Sequence, residues 1–527
     1  MSTRTESTDV VVVGGGVVGL SAAAFLAWHG VRCQVLERRA RPSAHPRARG
    51  FNPRAVELLR QIGLEPAVRE AGAGFADHTM RARVESLTGR ELFRADLPSG
   101  GELDAISPSP WALCSQDRLE PLVRRRAEEL GAAVSFGREV DHFTQDADGV
   151  TLVLRDGGRL RARYLVAADG ARSRTRERLG IELKGTRALA YQLSIVFEAD
   201  LRGPLGDRRF AICQVRNERV DGLLVHDDTL RQGILYIQHP ERAPDHPEDR
   251  CLELVRAALG VQDLPVRILD RQTWELSALC ATRYREGRAF LAGDAAHVMP
   301  PVGGFGASTG IQDAHNLAWK LGLVLRGPAG PGLLDSYEAE RAPVADLTVD
   351  QCLRRVTTRT GFGPPAAGAG LIDDLTLTFG HRYRAGALAE PEPAAPPVTD
   401  PREPGGQVGT RAPHVALTRA GGSTLDLFGR SFTVLAGPGG ESWTAAARSA
   451  SAELGVDVAA STMTDGLVAD GGAEWCRRYG VGAGGAVLVR PDGIVAWRRP
   501  HAVPDPAGEL RAALRGVLRP TPTSGRS

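Results

Sequence analysis

Lysine is almost missing from this chain. Lys184 and Lys320 are the only two among 65 basic residues, so nearly all of its positive charge is arginine. Any mechanism that needs a catalytic lysine is confined to those two positions. Net charge is scarce too. The 63 acidic residues leave a formal +2, which carries no electrostatic footprint for nucleic acid or a membrane surface. No apolar run reaches the roughly 18 residues of a membrane-spanning helix. Met1 to Thr8 are polar and lack the apolar stretch of a secretory signal. The seven cysteines (Cys33, Cys114, Cys213, Cys251, Cys280, Cys352 and Cys476) form no CxxC pair and no zinc-ligand spacing. They read as reduced thiols of a cytoplasmic protein without a metal site. Internal repeats are absent.

What is present is a long soluble chain. Its 527 residues, 42% hydrophobic and 24% charged, predict two or three domains. Near its start lies the run Gly14-Gly15-Gly16-Val17-Val18-Gly19. It follows a four-valine strand, Val10 to Val13, and precedes an apolar helix, Leu20 to Trp28. A second strand, Arg32 to Leu36, ends on Glu37, 18 residues past Gly19. This is the βαβ setting of a dinucleotide fingerprint. Gly14 permits the tight turn, and Gly16 lets backbone N–H groups approach a pyrophosphate at the helix N-terminus. Gly19 permits close helix–strand packing, and Glu37 can accept hydrogen bonds from a ribose. A second motif, Gly293-Asp294, closes a buried strand about 280 residues later. The pair points to FAD, where the first motif alone points only to a dinucleotide.

The pattern predicts an α/β protein: a Rossmann-type FAD domain, an inserted β-sheet substrate domain and a C-terminal unit. The FAD domain spans residues 1–185 and 281–388, with 79–100 contributing to the substrate domain, including a turn at Gly100-Gly101. Strand-like stretches Tyr191–Phe197, Gly233–Gln238 and Arg267–Leu276, with a helix near Cys251–Leu259, mark 186–280 as the sheet domain. Six prolines, at 391, 393, 396, 397, 401 and 404, mark 389–410 as a linker. Residues 411–520 then alternate strands and helices and finish with a hairpin across Pro491-Asp492-Gly493.

Three separated motifs agree in order and spacing with one family. They are Gly14 to Gly19 with Glu37, Asp169-Gly170-Ala171-Arg172-Ser173-Arg174-Thr175-Arg176, and Gly293-Asp294-Ala295-Ala296-His297-Val298-Met299-Pro300-Pro301. Together they resemble the class A flavoprotein aromatic hydroxylases. Among these the chain is similar to the larger members that tailor aromatic polyketides such as anthracyclines and angucyclines and carry a C-terminal thioredoxin-like domain. The resemblance covers essentially the whole chain.

The resemblance implies an NAD(P)H-dependent FAD monooxygenase, with NADPH favoured. It would use dioxygen to hydroxylate an aromatic polyketide through a flavin C4a-hydroperoxide. It further implies that Arg47, in Pro46-Arg47-Ala48-Arg49-Gly50, lies near the flavin and its phosphates. Gln116 and Arg118 would hold the ribityl and pyrophosphate region. Asp169 would support the FAD, and Asp294 would bond the ribityl chain. Amides of Gly306, Ala307 and Ser308 would face the flavin pyrimidine edge, where a helix N-terminus stabilises an anionic reduced flavin. Pro300 and Pro301 would shape the substrate pocket. Tyr191, Tyr236 and His226 are pocket candidates from the sheet domain, with no catalytic base assigned. Two departures stand out. Ser308 occupies a position that is commonly Asn in the family. The Ala436-Gly437-Pro438-Gly439-Gly440 stretch has no dithiol, which leaves the last unit a packing or dimerisation role.

Plainer readings accompany these. Asp294 is also a possible helix N-cap and Asp169 a turn residue. His297 reads as a structural hydrogen-bonding residue. Arg124-Arg125-Arg126 reads as a solvated helix face. Baeyer–Villiger insertion and antibiotic inactivation share the same architecture. A halogenase is disfavoured by the missing Trp-x-Trp-x-Ile-Pro motif. A catalytically silent FAD-binding assembly partner is the reading from another class. A monomer or a homodimer is compatible with the sequence.

Overall fold

The computed structural model describes residues 6–518 apart from 43–44, 46, 97–100, 242–245, 359–369, 419–420 and 465. Residues 1–5, Pro46 and Gly100, which figure in the readings above, lie outside them.

The first sheet is built on strand Glu6–Val13. This strand pairs in parallel with Cys33–Glu37 on one side and Arg159–Ala167 on the other. Ala133–Phe136 and Ala289–Leu291 extend the parallel order outward. Val10, Val11 and Val12 are wholly buried, because a central parallel strand is covered on both faces. Helix Val17–Trp28 is covered as well, with every residue from Gly19 to Ala27 buried. Its small Ala22, Ala23 and Ala24 let it lie close between the sheet and helices Gln116–Glu129 and Phe305–Arg326.

Arg159–Ala167 is one continuous strand although its sequence changes character at Tyr164. Its first half pairs antiparallel with Val150–Leu154. Its second half pairs with Ala289–Leu291. The change of partner, not a break in the backbone, accounts for the change in sequence character.

Among the described residues the second sheet has eight strands. Its backbone is the antiparallel pair Leu183–Glu198 and Arg267–Ala281, both longer than their apolar stretches indicated. Gln232–His239, Asp221–His226 and Phe210–Arg216 follow, and then Met80–Val84 and Glu91–Asp96 from the N-terminal third. Leu193, Ile195, Phe197, Leu224 and Leu235 pack one face against helix Glu248–Leu259. Val196, Val225, Ile234 and Tyr236 form a smaller cluster on the other face. At the far edge His297–Val298, from the third motif, pairs with Leu279 and Cys280.

The C-terminal unit is a mixed four-stranded sheet. Strand Phe432–Ala436 pairs in parallel with Val458–Thr462 and antiparallel with Ala486–Val489, which pairs with Val495–Arg499. Phe432, Val434 and Trp443 join the core of the first sheet, and Phe432 meets Trp319 edge-on at 5.9 Å. A buried ionic cluster fastens the same junction. Glu340 accepts from Arg490 Nη1 at 2.7 Å and Nη2 at 2.8 Å, from Lys320 Nζ at 2.8 Å, from Asn316 Nδ2 at 2.7 Å and from the Ala387 amide at 2.8 Å. Arg490 also binds Asp492.

The stretch read as a linker, 389–410, is hydrogen-bonded to its neighbours at several points. Prolines cannot donate to a sheet, but the residues around them do the pairing. Ala389 N–H donates to Ala496 at 3.0 Å, Gly409 N–H to Val495 at 2.8 Å and Thr399 N–H to Gly380 at 2.8 Å. No helix among the described residues is long and apolar enough to cross a membrane.

Candidate active site

The glycine loop is held by contacts that tolerate no side chain. Gly14 has φ +107°, and a Cβ there would lie 2.3 Å from the Ala168 carbonyl oxygen. A Cβ on Gly19 would lie 1.9 Å from the Gly14 carbonyl oxygen. The helix that follows starts at Gly16 with no side-chain cap and no acid in its first turn. Glu120 reaches this start and accepts from the Val17 amide at 3.0 Å. Gln116 steadies Glu120 at 2.7 Å, while its own amide donates to Ala48 at 2.8 Å. Glu37 accepts from the Gly15 amide at 2.7 Å and the Arg39 amide at 2.8 Å. Gly14, Glu37 and Asp169 share one open cleft whose rim mixes arginines such as Arg38 and Arg172 with the acids Glu139 and Asp141.

The other two motifs join this loop by direct contact. A Cβ on Gly293 would meet Val18 at 2.8 Å, and one on Gly310 would meet Val18 at 2.5 Å. Arg176 is buried and donates from Nη1 to the Ala295 carbonyl at 3.1 Å, which ties the second motif to the third. Asp169 is engaged by its own turn. It accepts from Ser173 Oγ at 2.5 Å, Thr175 Oγ1 at 2.9 Å and the Thr175 amide at 3.1 Å.

Asp313 underpins the third motif. One carboxylate oxygen accepts from the Gly293 amide at 3.1 Å and lies 2.6 Å from His297 Nε2; the other accepts from Arg341 at 2.7 Å. Burial alone would push this carboxyl up, but His297 and Arg341 more than offset it, and it lies below the usual range. His297 therefore has the structural hydrogen bond expected of it.

Asp294 stands apart. It is the one exposed residue between Ala289 and His297. Protein rings it on its other sides, which pushes its carboxyl above the ordinary range against the pull of His297 and Arg47. Arg47 is exposed. Beyond the Pro300–Pro301 turn, Gly303 and Gly304 both adopt left-handed φ, +79° and +68°. They turn the chain into helix Phe305–Arg326, whose N-terminus has neither a side-chain cap nor an acid in its first turn. Gly306 and Ala307 are half-exposed there. Ser308 is buried and its hydroxyl accepts from the Asn52 amide at 3.1 Å, so that side chain is turned inward and holds the helix start to its neighbour.

On the sheet side, Tyr236 and Tyr191 are half-buried. His226 is engaged at both ring nitrogens: Nε2 accepts from the Phe210 amide at 3.0 Å and Nδ1 lies 2.9 Å from the Asp227 carbonyl. Burial pushes its pKa down to about 4. The ring is thus held neutral, with no nitrogen left for a substrate proton. Arg118 pairs with Asp228 at 2.5 Å, joining helix Gln116–Glu129 to the second sheet.

These residues fit a flavin dinucleotide. A Cβ on Gly14 or Gly19 would collide with neighbouring backbone, so the tight turn of this loop depends on glycine, while Gly16 leaves open space beside it. The start of helix Phe305–Arg326 has no capping side chain and leaves its backbone N–H groups for an anionic group of a ligand, whereas at the other helix start the Val17 amide is already taken by Glu120. Between them an open carboxylate accepts no hydrogen bond from the described residues. Glu120, Asp313 and Arg341 escaped the sequence reading. Nothing local in the sequence marks Arg341 as the partner of Asp313.

Comparison with known proteins agrees. Residues 7–352 match the model of an FAD binding domain, and residues 405–520 match the C-terminal domain of aromatic-ring hydroxylases. The chain is 44% identical to 4-methyl-5-nitrocatechol 5-monooxygenase of a Burkholderia species, over 97% of this chain and 97% of that one. It is 40% identical to tetracenomycin A2 monooxygenase-dioxygenase of Streptomyces glaucescens, over 98% of each. A crystal structure of aklavinone-11 hydroxylase in ternary complex with FAD and aklavinone superposes with a TM-score of 0.89 at 39% identity, covering 98% of this chain and 99% of that one. Matched along nearly its full length, the chain belongs to the FAD-dependent aromatic-ring hydroxylases and is a monooxygenase.

Proposed function

We propose that the enzyme uses NADPH and dioxygen to hydroxylate an aromatic polyketide, as a monomer or homodimer in the cytoplasm. The observation that carries the substrate class is the near full-length likeness to a hydroxylase that holds FAD and aklavinone. Residues 1–185 and 281–388 are its flavin domain, 186–280 its substrate domain and 411–520 a thioredoxin-like unit without redox cysteines.

FAD, when bound, supplies the redox and oxygen-transfer chemistry. The chain supplies orientation and electrostatics. Gly14, Gly16 and Gly19 bring backbone N–H groups to the pyrophosphate, with Arg47, Gln116 and Arg118 beside it. Glu37 accepts from the ribose, Asp169 braces the turn below and Asp294 accepts from the ribityl chain. Gly306, Ala307 and Ser308 present amides to the pyrimidine edge, where they stabilise negative charge. Pro300, Pro301, Tyr191 and Tyr236 wall the substrate and exclude water.

A mononuclear catechol is a second reading, favoured by the 44% identity to the nitrocatechol monooxygenase. Purified protein should absorb near 450 nm and consume NADPH in air. It should add one oxygen to an anthracycline- or angucycline-type aglycone, read by mass. Turnover of a nitrocatechol but of no aglycone would select the second reading. A colourless protein that cannot be reconstituted with FAD would overturn both.

A further inference from the structure

A small cavity of about 30 Å³ lies where the C-terminal unit meets the flavin domain. Arg54 reaches it from helix Pro53–Gln61, His315 from helix Phe305–Arg326, and Arg411 and Asp492 from the C-terminal unit. Arg341 and Thr378 also line it. Three guanidiniums and one carboxylate thus face the same space. One water needs roughly 10–15 Å³ of such space, so the cavity suits one small ion.

The carboxylates behind the wall do not balance the cations. Arg54 Nη1 and Arg411 Nε donate to the same oxygen of Glu57, each at 2.9 Å, and Arg411 Nη2 takes the other oxygen. The remaining bonds of these two arginines go to the neutral backbone carbonyls of Asp492 and Ile106. Burial pushes the Glu57 carboxyl up, but Arg411 and Arg54 hold it below its usual range, so it supplies one full charge for two. Arg341 has Asp313. On the far side Arg490 and Lys320 have Glu340 and Asp492. Five buried cations therefore meet four buried carboxylates. The histidines do not close the gap. Burial pushes His315 down to about 3, with Arg54 and Arg490 adding to the push against the upward pull of Asp492. Burial and then Arg341 push His381, also on the wall, down to about 3. His297, beside Asp313, adds a positive charge if it carries one.

Two groups on the wall add to the demand. His315 Nδ1 and Thr378 Oγ1 are buried and have no hydrogen-bond partner among the described residues. The other ring nitrogen of His315 lies 2.8 Å from the Gln61 side-chain amide. With that amide as donor, His315 turns Nδ1–H to the cavity. A water would satisfy these donors and leave the charge. A divalent oxyanion would overcorrect the charge and exceed the space. A single small anion answers the surplus charge and both donors at once. Asp492 repels an anion here, but both its oxygens are held by Arg490.

We propose that this cavity binds one small monovalent inorganic anion, with chloride as the type, between Arg54, Arg341 and Arg411, and with the Thr378 hydroxyl and His315 Nδ1 as further donors. The ion is a structural counter-charge. It completes the junction between the C-terminal unit and the flavin domain and takes no part in the oxygen chemistry.

The test uses FAD-loaded protein and no substrate, so its outcome is separate from the reading of the reaction. Sodium gluconate is exchanged for sodium chloride or bromide at constant ionic strength, and flavin fluorescence follows the first thermal transition. Wild type should rise by several degrees and saturate with either halide, whereas gluconate, too large for the cavity, should give no rise. Crystals grown in gluconate and soaked in bromide should show an anomalous peak between Arg54, Arg341 and Arg411. Arg54→Met removes the surplus charge; it should melt in gluconate close to wild type in chloride, and neither halide should move it. Thr378→Val should need about tenfold more halide for half of the effect, and it carries the comparison if the Arg54 variant does not fold. Halide stabilisation that persists unchanged in Arg54→Met and Thr378→Val would overturn the proposal. So would a wild-type transition that ignores halide, or a bromide peak found only in the flavin groove.

Discussion

Replacing Glu340 with glutamine tests what holds the C-terminal unit to the flavin domain. The substitution keeps the size of the side chain and removes one charge. In the folded protein Arg490 and Lys320 face Glu340 and Asp492, two charges against two, all essentially out of solvent. Glu340 is the hub, since both cations and the Ala387 amide converge on it. Its carboxyl lies below the usual range although burial pushes it up, because Arg490 and Lys320 more than compensate. Glu340→Gln leaves a net buried positive charge, and breaking a buried pair in this way costs about 3–5 kcal/mol. At about 2–4 °C per kcal/mol for a domain of this size, the first thermal transition should fall by about 10 °C. Flavin fluorescence during a thermal ramp reads that transition. The double variant Glu340→Gln/Lys320→Met restores the balance of charge and should recover more than half of the loss. A Glu340→Gln protein that melts with wild type would refute the argument. A double variant as weak as the two single losses combined would show that the cost is geometric and not electrostatic.

Three further outcomes follow from the same structure. Gly19→Ala should purify without FAD, because its Cβ would sit 1.9 Å from a backbone oxygen and either the turn or the helix must move by more than an ångström; wild-type absorbance at 450 nm in that variant would count against the assigned cradle. Asp294→Ala should lose FAD affinity by about tenfold or more, since it removes the hydrogen-bond acceptor proposed for the ribityl chain; equilibrium dialysis against free FAD measures this, and wild-type retention with normal turnover would refute the role. Burial pulls Lys320 down to about 8 against the upward pull of Glu340. Below that pH the ammonium is charged in both folded and unfolded chains. Above it the unfolded chain holds the extra proton up to the ordinary lysine range, so this residue's contribution to stability rises with pH through that window. Wild type should therefore gain on Lys320→Met in denaturant midpoint between about pH 8 and pH 10, and parallel pH curves would refute the shift.

The motifs were legible because glycine and acid positions answer to local geometry. Gly14 needs its left-handed turn and Gly19 its close approach, and both needs show in a six-residue run. The hairpin across Pro491-Asp492-Gly493 was legible for the same reason, with Gly493 at φ +76° and Arg490 N–H closing on Ile494. What escaped was pairing at a distance. Asp313 meets Arg341 one helix later, and Glu340 meets Arg490 some 150 residues later. No periodicity announces such partners. The hydrogen bonds of segment 389–410 were not legible for a related reason: proline content argues against regular strands, but it says nothing of bonds made by neighbouring amides.

Only two alanines separate Asp294 from His297, the residue with which the second sheet begins at its far edge. That stretch is about 10 Å of chain at most, and Arg176 and Asp313 grip it from both sides. The edge of the second sheet is therefore tied to Asp294 by a covalent length and not by how two domains happen to settle. Such a built-in ruler divides the sheet for the purpose of redesign. Strands at the opposite edge, where Phe93, Ile212 and Leu223 lie open, can be rewritten without disturbing the edge tied to Asp294.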